Sequence, residues 1–332
     1  MSKLLRLGVS ALLLGWIALK MDWAAVGHAF AHLDIWPWLL GVAILVAAQC
    51  VSAWRWYYFA RELRFERPIW QLSSFYFIGM YFGLMLPTTV GGDVVRAWYL
   101  DAGSGRKLAA FGAVFLDRLN GVLVLISIAC VATLLSPTTL PPWVVWSVFG
   151  IAACAFGGLA MLPFLGAWRG PGAASIQKLR QTVGLLRSPR ILPITTLLSF
   201  CVQTSSIAIV WLIGEAVGVE VPGSFYWVLV PLMSLLMLLP AVNGWGVRET
   251  GMIALLGPMG VSDGVALSMA FLWFLNGAAV SLLGGLVYLF GHFPKPEAPA
   301  QAPDEDEHGP DHPGPVDRHP DQGRTRQLDQ AA

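Results

Sequence analysis

Long apolar runs separated by short polar segments dominate the chain. Six runs are long enough or suitably placed to be membrane spans, since about 20 apolar residues cross a bilayer core. They cover about residues 7–19, 35–59, 109–135, 143–165, 191–215 and 265–290. The first run follows Lys3 and Arg6, as the apolar region of a signal peptide would. However, the only cleavage-like sequence, Ala29-Phe30-Ala31, lies too far beyond this run, and more spans follow. An uncleaved first span is therefore favoured, and the pattern predicts an all-α polytopic membrane protein.

Two further apolar runs are broken by proline and glycine and then followed by charge. After Leu86 come Pro87, Gly91, Gly92, Asp93 and Arg96, and after Leu239 come Pro240, Gly244, Gly246, Arg248 and Glu249. Freed backbone groups and charges find no partner in lipid, so such a break must be buried in protein or line a wet cavity. Paired interruptions in the two halves of a membrane chain indicate a transporter's binding site. We therefore predict two re-entrant helical hairpins, over about residues 68–107 and 222–264.

The charges of the connecting segments predict the orientation of the spans. Arg55, Arg61, Arg64 and Arg67 at the end of the second span, and the basic loop 166–190, indicate the cytoplasmic side. Residues 215–223 carry only acidic charge and are assigned to the outside. Three spans separate the hairpins, so the hairpins enter from opposite sides and form an inverted repeat. Both termini are then cytoplasmic, in a multi-pass protein of the cytoplasmic (inner) membrane.

Composition divides the chain into two parts. Only 12% of the 332 residues are charged and 56% are hydrophobic, whereas a soluble domain has about 25% charged residues. Residues 1–294 carry a net charge of +6 and form the transmembrane domain, and residues 295–332 carry −5. The second part has almost no apolar residues to bury, so it is predicted to be a disordered cytoplasmic tail. The four cysteines lie inside apolar runs and indicate small buried hydrophobes, not a metal site or disulfides.

Charged residues inside the membrane are the candidates for function, because each costs about 2.5–3.5 kcal/mol to insert. Asp117 and Arg118 lie about nine residues into a span, which is roughly 13 Å along a helix. Adjacent helix positions do not face each other, so this pair cannot simply neutralise itself. We expect Asp117 to pair with Arg96 and Arg118 to pair with Asp93.

Arg96 and Arg248 are predicted to bind an anionic lipid headgroup. Each follows a helix break, where the free N–H groups and partial positive charge of a helix N-terminus favour a phosphate. A guanidinium there can also donate two parallel hydrogen bonds to phosphate oxygens. Asp93 and Glu249 would hold the arginines, contact a cationic headgroup or bind a coupling proton. The glycines Gly91, Gly92, Gly244 and Gly246 would let the backbone approach the headgroup, and Pro87 and Pro240 would break the helices.

Structural roles are the alternatives. Arg96 could extend to the cytoplasmic surface, Arg248 and Glu249 could pair at the outer interface, and Asp117 and Arg118 could serve packing alone.

Together these residues resemble the lysylphosphatidylglycerol synthase transmembrane-region family. They are Pro87, Gly91, Gly92, Asp93, Arg96, Asp117, Arg118, Pro240, Gly244, Arg248 and Glu249, and the resemblance covers about residues 5–290. It implies a flippase-like module in which both broken segments form a lipid-handling cavity, with Asp117 and Arg118 beside it. Two-domain members also carry a soluble domain that transfers lysine from tRNA. Here only a tail of 38 residues, 295–332, follows the transmembrane domain, so aminoacyl transfer is not expected and a lysylated cargo is not implied.

The leading functional hypothesis is a lipid transporter or flippase that moves a phospholipid or lipid-linked headgroup between leaflets. Its partners would be membrane lipids and envelope lipid or glycan biosynthesis enzymes, with no nucleic acid and no cofactor. No nucleotide-binding motif occurs, so coupling would be passive or driven by an ion gradient. One alternative is an enzyme acting on lipid phosphates. It is disfavoured because the apolar body has no histidine apart from His28 and His32 in a linker and His292 at its end, and no Asp-rich metal cluster. The other is a scaffold for an envelope glycosyltransferase.

Overall fold

A computed structural model describes residues 27, 31, 33–85, 90–136, 140–164, 173–237 and 246–291. Over these ranges the chain forms ten α-helices and no strand. The first six are α1 (Ile35–Glu62), α2 (Ile69–Met85), α3 (Gly91–Asp101), α4 (Lys107–Leu135), α5 (Pro142–Met161) and α6 (Ala173–Gly184). The other four are α7 (Leu192–Ala216), α8 (Tyr226–Leu236), α9 (Val247–Leu256) and α10 (Asp263–Phe290). Single 3-10 turns cover Leu185–Arg187, Gly223–Phe225 and Gly257–Met259.

Five of the described helices are long and apolar enough to cross a bilayer, namely α1, α4, α5, α7 and α10. They match five of the six predicted spans, and the sixth, about residues 7–19, lies outside the described residues. Local signals set where they begin: the Asp34 carboxylate accepts a hydrogen bond from the Trp36 N–H at 3.1 Å, and proline occupies the first turn of α5 and α7. The chain is an all-α, multi-pass membrane protein, as predicted.

The two interrupted segments form pairs of short helices. Helix α2 ends at Met85 and α3 begins at Gly91, whereas α8 ends at Leu236 and α9 begins at Val247. The predicted breaking residues Pro87 and Pro240 lie outside the described residues, as do Gly244 and the tail from 295. Asp93 is the third residue of α3, and its carboxylate is bound to arginines instead of to the helix end.

The helix starts recur at a nearly constant spacing. Ile35 and Leu192, which begin α1 and α7, are 157 residues apart, and so are Ile69 and Tyr226, which begin α2 and α8. Gly91 and Val247, which begin α3 and α9, are 156 residues apart, and so are Lys107 and Asp263, which begin α4 and α10. Asn120 and Asn276 are each the fourteenth residue of their helix, and both are buried. Helices α1–α4 and α7–α10 are therefore two copies of one unit, called here the first and second repeat.

The contacts between helices show the same correspondence between the two repeats. Helix α1 packs most extensively against its counterpart α7. Helix α2 packs on α10 while α8 packs on α4, and α4 contacts α7 while α10 contacts α1. Every one of these contacts has its partner contact when the two repeats are interchanged, which is the pattern that a two-fold relation between repeats produces. Helices α5 and α6 connect the repeats.

Glycines allow close helix contacts around α2. A Cβ on Gly92 would overlap the carbonyl oxygen of Gly79, and a Cβ on Gly284 would overlap that of Phe77. At both places a side chain would force the helices apart, so the glycines hold α3 and α10 directly against the backbone of α2.

Large apolar side chains cover the outside of the long helices, as expected of a surface that faces lipid. The most exposed include Trp36, Trp146, Phe164 and Phe290. The expectation of four buried cysteines is wrong for three of them. Cys50, Cys154 and Cys201 are exposed and Cys130 is half-buried, and all four are free thiols. Apolar runs fail to distinguish buried from lipid-facing positions, because lipid and the protein interior favour the same residues.

Candidate functional site

Asp117 lies in the middle of α4 and is completely buried. Its Oδ1 accepts a hydrogen bond from Arg55 Nε at 2.8 Å, and its Oδ2 accepts one from Arg96 Nη2 at 3.1 Å. A buried carboxylate requires such partners, because an unpaired charge in this surrounding would be strongly destabilising. The predicted pairing of Asp117 with Arg96 is thus present, and Arg55 joins it.

Sequence reasoning missed Arg55, which it assigned to the basic cytoplasmic end of its helix. The side chain is buried, and its Nη1 also donates to Ser199 Oγ on α7 at 2.8 Å. Ser199 in turn donates to Asn120 Oδ1 on α4. A signal was available: Arg55 lies seven residues before the end of α1 at Glu62, about 10 Å deeper along the helix than the terminus.

Arg96 lies between two aromatic rings. Its guanidinium carbon is 4.0 Å from the ring centroid of Tyr76 and 4.4 Å from that of Trp56. Besides Asp117 it contacts Asp93, with Nη1 at 3.3 Å from Oδ1, and only 3% of its side chain is exposed. Cation–π contacts of this kind stabilise a desolvated guanidinium. The Arg96 Nε has no hydrogen-bond partner among the described residues.

Arg118 and Asp93 form the second predicted pair, as a two-bond fork. Arg118 Nε donates to Asp93 Oδ2 at 2.9 Å, and Arg118 Nη2 donates to Oδ1 at 3.0 Å. The pair joins α3 to α4. In contrast with Arg96, 60% of the Arg118 side chain is exposed. The fork fixes the guanidinium and leaves its Nη1 facing no described acceptor.

These residues border a cavity of about 400 Å³ between the first hairpin and helices α1, α4, α7 and α8. Its charged wall consists of Arg55, Asp93, Arg96 and Arg118, with Asp117 directly behind two of them. Its neutral polar wall consists of Gln49, Ser52, Gln203 and Ser234. The volume falls within the range of about 300–1,000 Å³ that holds small ligands. Arg55, Asp93, Arg96, Asp117 and Arg118 are called the charge cluster below.

The two glycines of the first hairpin that were predicted to contact the headgroup have different surroundings. Gly91 is the buried first residue of α3. Gly92 borders the cavity, but it also packs directly on Gly79 of α2. Gly92 therefore has a packing reason to be glycine, whatever binds in the cavity.

The second hairpin is arranged differently. Arg248 and Glu249 are both buried and pair with each other, and Glu249 Oε2 also accepts the backbone N–H of Gly246 at 2.7 Å. Gly246 has a φ of 83°, which requires glycine. Arg248 lies over the ring of Phe274 at 5.1 Å, and it does not border the cavity as far as the described residues define it.

The 156-residue register shows how far the repeats diverge. It places Glu249 opposite Asp93, since each is the third residue of its short helix. It places Met252 opposite Arg96, so the two arginines that look doubled in the sequence are not equivalent positions. Asp117 and Arg118 have Trp273 and Phe274 as counterparts, and the starts of α1 and α7, which are 157 residues apart, place Leu212 opposite Arg55. The charge cluster thus belongs to the first repeat: apart from Glu249, the corresponding positions of the second repeat carry aromatic or apolar residues.

Metal ligands are not grouped in this region. Within the described ranges, no three histidine, cysteine, aspartate or glutamate side chains lie close enough together to hold a metal ion. What the cavity does offer is a set of fixed cationic N–H donors.

Comparison with known proteins supplies the identity of the fold family. A search of curated proteins finds no match. The family model for the lysylphosphatidylglycerol synthase TM region matches residues 3–285, which include the whole charge cluster, the first repeat and all but the last five residues of the second. The chain therefore belongs to the lysylphosphatidylglycerol synthase TM region family, a family of membrane domains tied to lipid metabolism.

Proposed function

We propose that this protein is a lipid transporter, a flippase that moves a phospholipid or lipid-linked headgroup between the leaflets of the cytoplasmic membrane. The observation that carries the proposal is the cavity beside the broken first hairpin, into which three arginines converge. Charged side chains within a membrane domain are costly. A cluster of five, kept together around a hollow, is best explained by a charged ligand.

The headgroup would meet the exposed part of Arg118 first. Its fork to Asp93 orients the guanidinium and leaves Nη1 for a phosphate oxygen. Arg55 uses Nε and Nη1 for protein contacts, so its Nη2 is a second donor on the same wall. Arg96 is held by two carboxylates and two rings, and supports the site mainly through its charge.

Two broken hairpins in an inverted repeat provide a route for the movement. We propose that the hairpins are re-entrant and enter from opposite sides, so that rocking of one repeat against the other exposes the cavity to each side in turn. The extensive contact of α1 with α7 lies between the repeats and would be the surface on which they move. Coupling would be passive or driven by an ion gradient, with no chemical change in the lipid.

The second hairpin is expected to contribute less to headgroup binding than the first. Arg248 Nε has no partner among the described residues, so this arginine still offers a donor. Its charge is already balanced by Glu249, however, and we expect it to contribute less than Arg118.

The test is headgroup exposure in vesicles that contain the purified full chain. A fluorescent anionic phospholipid is placed in both leaflets, and a membrane-impermeant quencher measures how fast the inner pool becomes accessible. Arg118→Ala is the variant of choice, because Arg96 still pairs with Asp93 and the fold should be retained. We expect it to slow exposure at least tenfold, and Arg248→Ala to slow it less.

Arg190→Ala is the matched control, since Arg190 is exposed and does not border the cavity. It should behave like the unmutated protein. Equal rates for Arg118→Ala, Arg96→Ala and the control would refute the proposed site. No protein-dependent exposure of any lipid would refute transport itself.

A further inference from the structure

The charge cluster is not electrically balanced. It contains three arginines and two aspartates, so the cavity has an excess of one positive charge. The corresponding positions of the second repeat have no such excess, because Glu249 is paired with its neighbour Arg248 and the other four counterparts are uncharged. A ligand that brings one negative charge would balance the cavity.

Every carboxylate oxygen in the cluster already accepts a hydrogen bond from a guanidinium. Asp117 accepts from Arg55 at Oδ1 and from Arg96 at Oδ2. Asp93 accepts from Arg118 at both oxygens, and from Arg96 at Oδ1. A protonated amine in the cavity would meet three guanidinium groups and no free acid, so its burial would be unfavourable.

The neutral polar wall suits hydroxyl groups. The side chains of Gln49 and Ser52 border the cavity. Gln203 uses only its amide Nε2, which donates to the Gly121 carbonyl at 3.1 Å, so its Oε1 remains an acceptor. Ser234 donates its hydroxyl proton to the Val230 carbonyl and keeps its lone pairs. Amides and hydroxyls both donate and accept without charge, as a polyhydroxylated headgroup requires.

We propose that this cavity selects lipids whose headgroup is a phosphodiester monoanion bearing neutral hydroxyl groups, such as a phosphoglycerol or a glycosyl phosphate. It discriminates against headgroups with an amine, including a lysylated one. This inference rests on the proposed transport function and specifies its cargo. The phosphodiester binds at Arg118 and Arg55, and the hydroxyls bind at Gln49, Ser52 and Gln203.

The experiment compares four labelled lipids with the same acyl chains in vesicles containing the full chain. Phosphatidylglycerol has one negative charge and two hydroxyls, and phosphatidylmethanol has the same charge and none. Phosphatidylethanolamine is zwitterionic, and lysylphosphatidylglycerol is cationic. We expect phosphatidylglycerol to be exposed at least tenfold faster than either amine lipid, and severalfold faster than phosphatidylmethanol.

Variants separate charge from hydroxyl recognition. Gln49→Leu should bring the ratio of phosphatidylglycerol to phosphatidylmethanol rates towards one, whereas Gln181→Leu, an exposed glutamine outside the cavity, should leave the ratio unchanged. Equal rates for all four lipids, or a faster amine lipid, would overturn this inference while transport stands. An unchanged ratio in Gln49→Leu would overturn the hydroxyl assignment. Failure of all four lipids to move would overturn the transport function on which it rests.

Discussion

Replacing Asp117 by asparagine tests whether the negative charge of Asp117 stabilises the fold by pairing with two arginines. The substitution keeps the size of the side chain and removes its charge. Two arginines then lose the anion to which they donate, at 2.8 and 3.1 Å. Because the site is fully buried, water cannot replace that anion.

The expected destabilisation follows from these contacts. Breaking a buried ion pair by removing one partner costs about 3–5 kcal/mol, and two hydrogen bonds to charged groups at about 1.5–3 kcal/mol each give a similar sum. At about 2–4 °C per kcal/mol, the midpoint of thermal unfolding should fall by about 6–20 °C. The measurement is a thermal-unfolding curve of the purified protein in detergent.

Two further variants make the experiment decisive. Asp263→Asn makes the same chemical change at an exposed position of α10, and should shift stability by less than about 1 kcal/mol. Adding Arg55→Gln to Asp117→Asn removes one of the orphaned cations, so the double variant should recover part of the loss. If Asp117→Asn unfolds at the same temperature as Asp263→Asn, the electrostatic reasoning is wrong.

Three other predictions concern packing and the second hairpin. Gly92→Ala should destabilise the protein by at least about 2 kcal/mol, because the new methyl overlaps the backbone of α2, whereas Gly83→Ala should be mild, since its Cβ would lie 3.7 Å from the nearest atom. Gly284→Ala should likewise reduce the unfolding temperature, whereas Gly277→Ala should not, because a Cβ at Gly277 meets open space. Equal shifts for Gly92→Ala and Gly83→Ala, or for Gly284→Ala and Gly277→Ala, would contradict the close helix contacts described for α2. Glu249→Gln should cost about 3 kcal/mol of unfolding free energy by leaving Arg248 unpaired, and an unchanged unfolding curve would show that the pair is dispensable.

The sequence predicted the membrane class and the two Asp–Arg pairings because both follow from one strong rule. Charge and broken backbone cannot face hydrocarbon, so Asp117 and Arg118 had to find partners on the nearest polar segment. This rule does not say which residue of one repeat corresponds to which residue of the other. Arg96 and Arg248 were therefore matched by the similarity of their motifs, whereas the helix starts place Met252 opposite Arg96.

Arg55 and the cysteines show a second limit. Positive charge near a helix end is the usual mark of a cytoplasmic loop, and only its deeper position along the span sets Arg55 apart from its neighbours Arg61 and Arg64. The partners that make Arg55 part of the cluster are brought to it when α1 packs against α4 and α7, which supply Asp117 and Ser199. The outward-facing cysteines were missed for the same reason, since hydropathy does not say which face of a span meets protein.

The most direct measurement for the central claim is the affinity of the purified protein for a short-chain, water-soluble phosphatidylglycerol, compared between Arg118→Glu and Arg190→Glu. Reversing the charge of Arg118 removes the most exposed donor and turns the cavity's excess positive charge into a negative one. Arg118→Glu should therefore weaken binding at least tenfold, about 1.4 kcal/mol or more, while Arg190→Glu binds like the unmutated protein. Equal affinities for the two variants would contradict the assignment of this cavity as the site for an anionic headgroup.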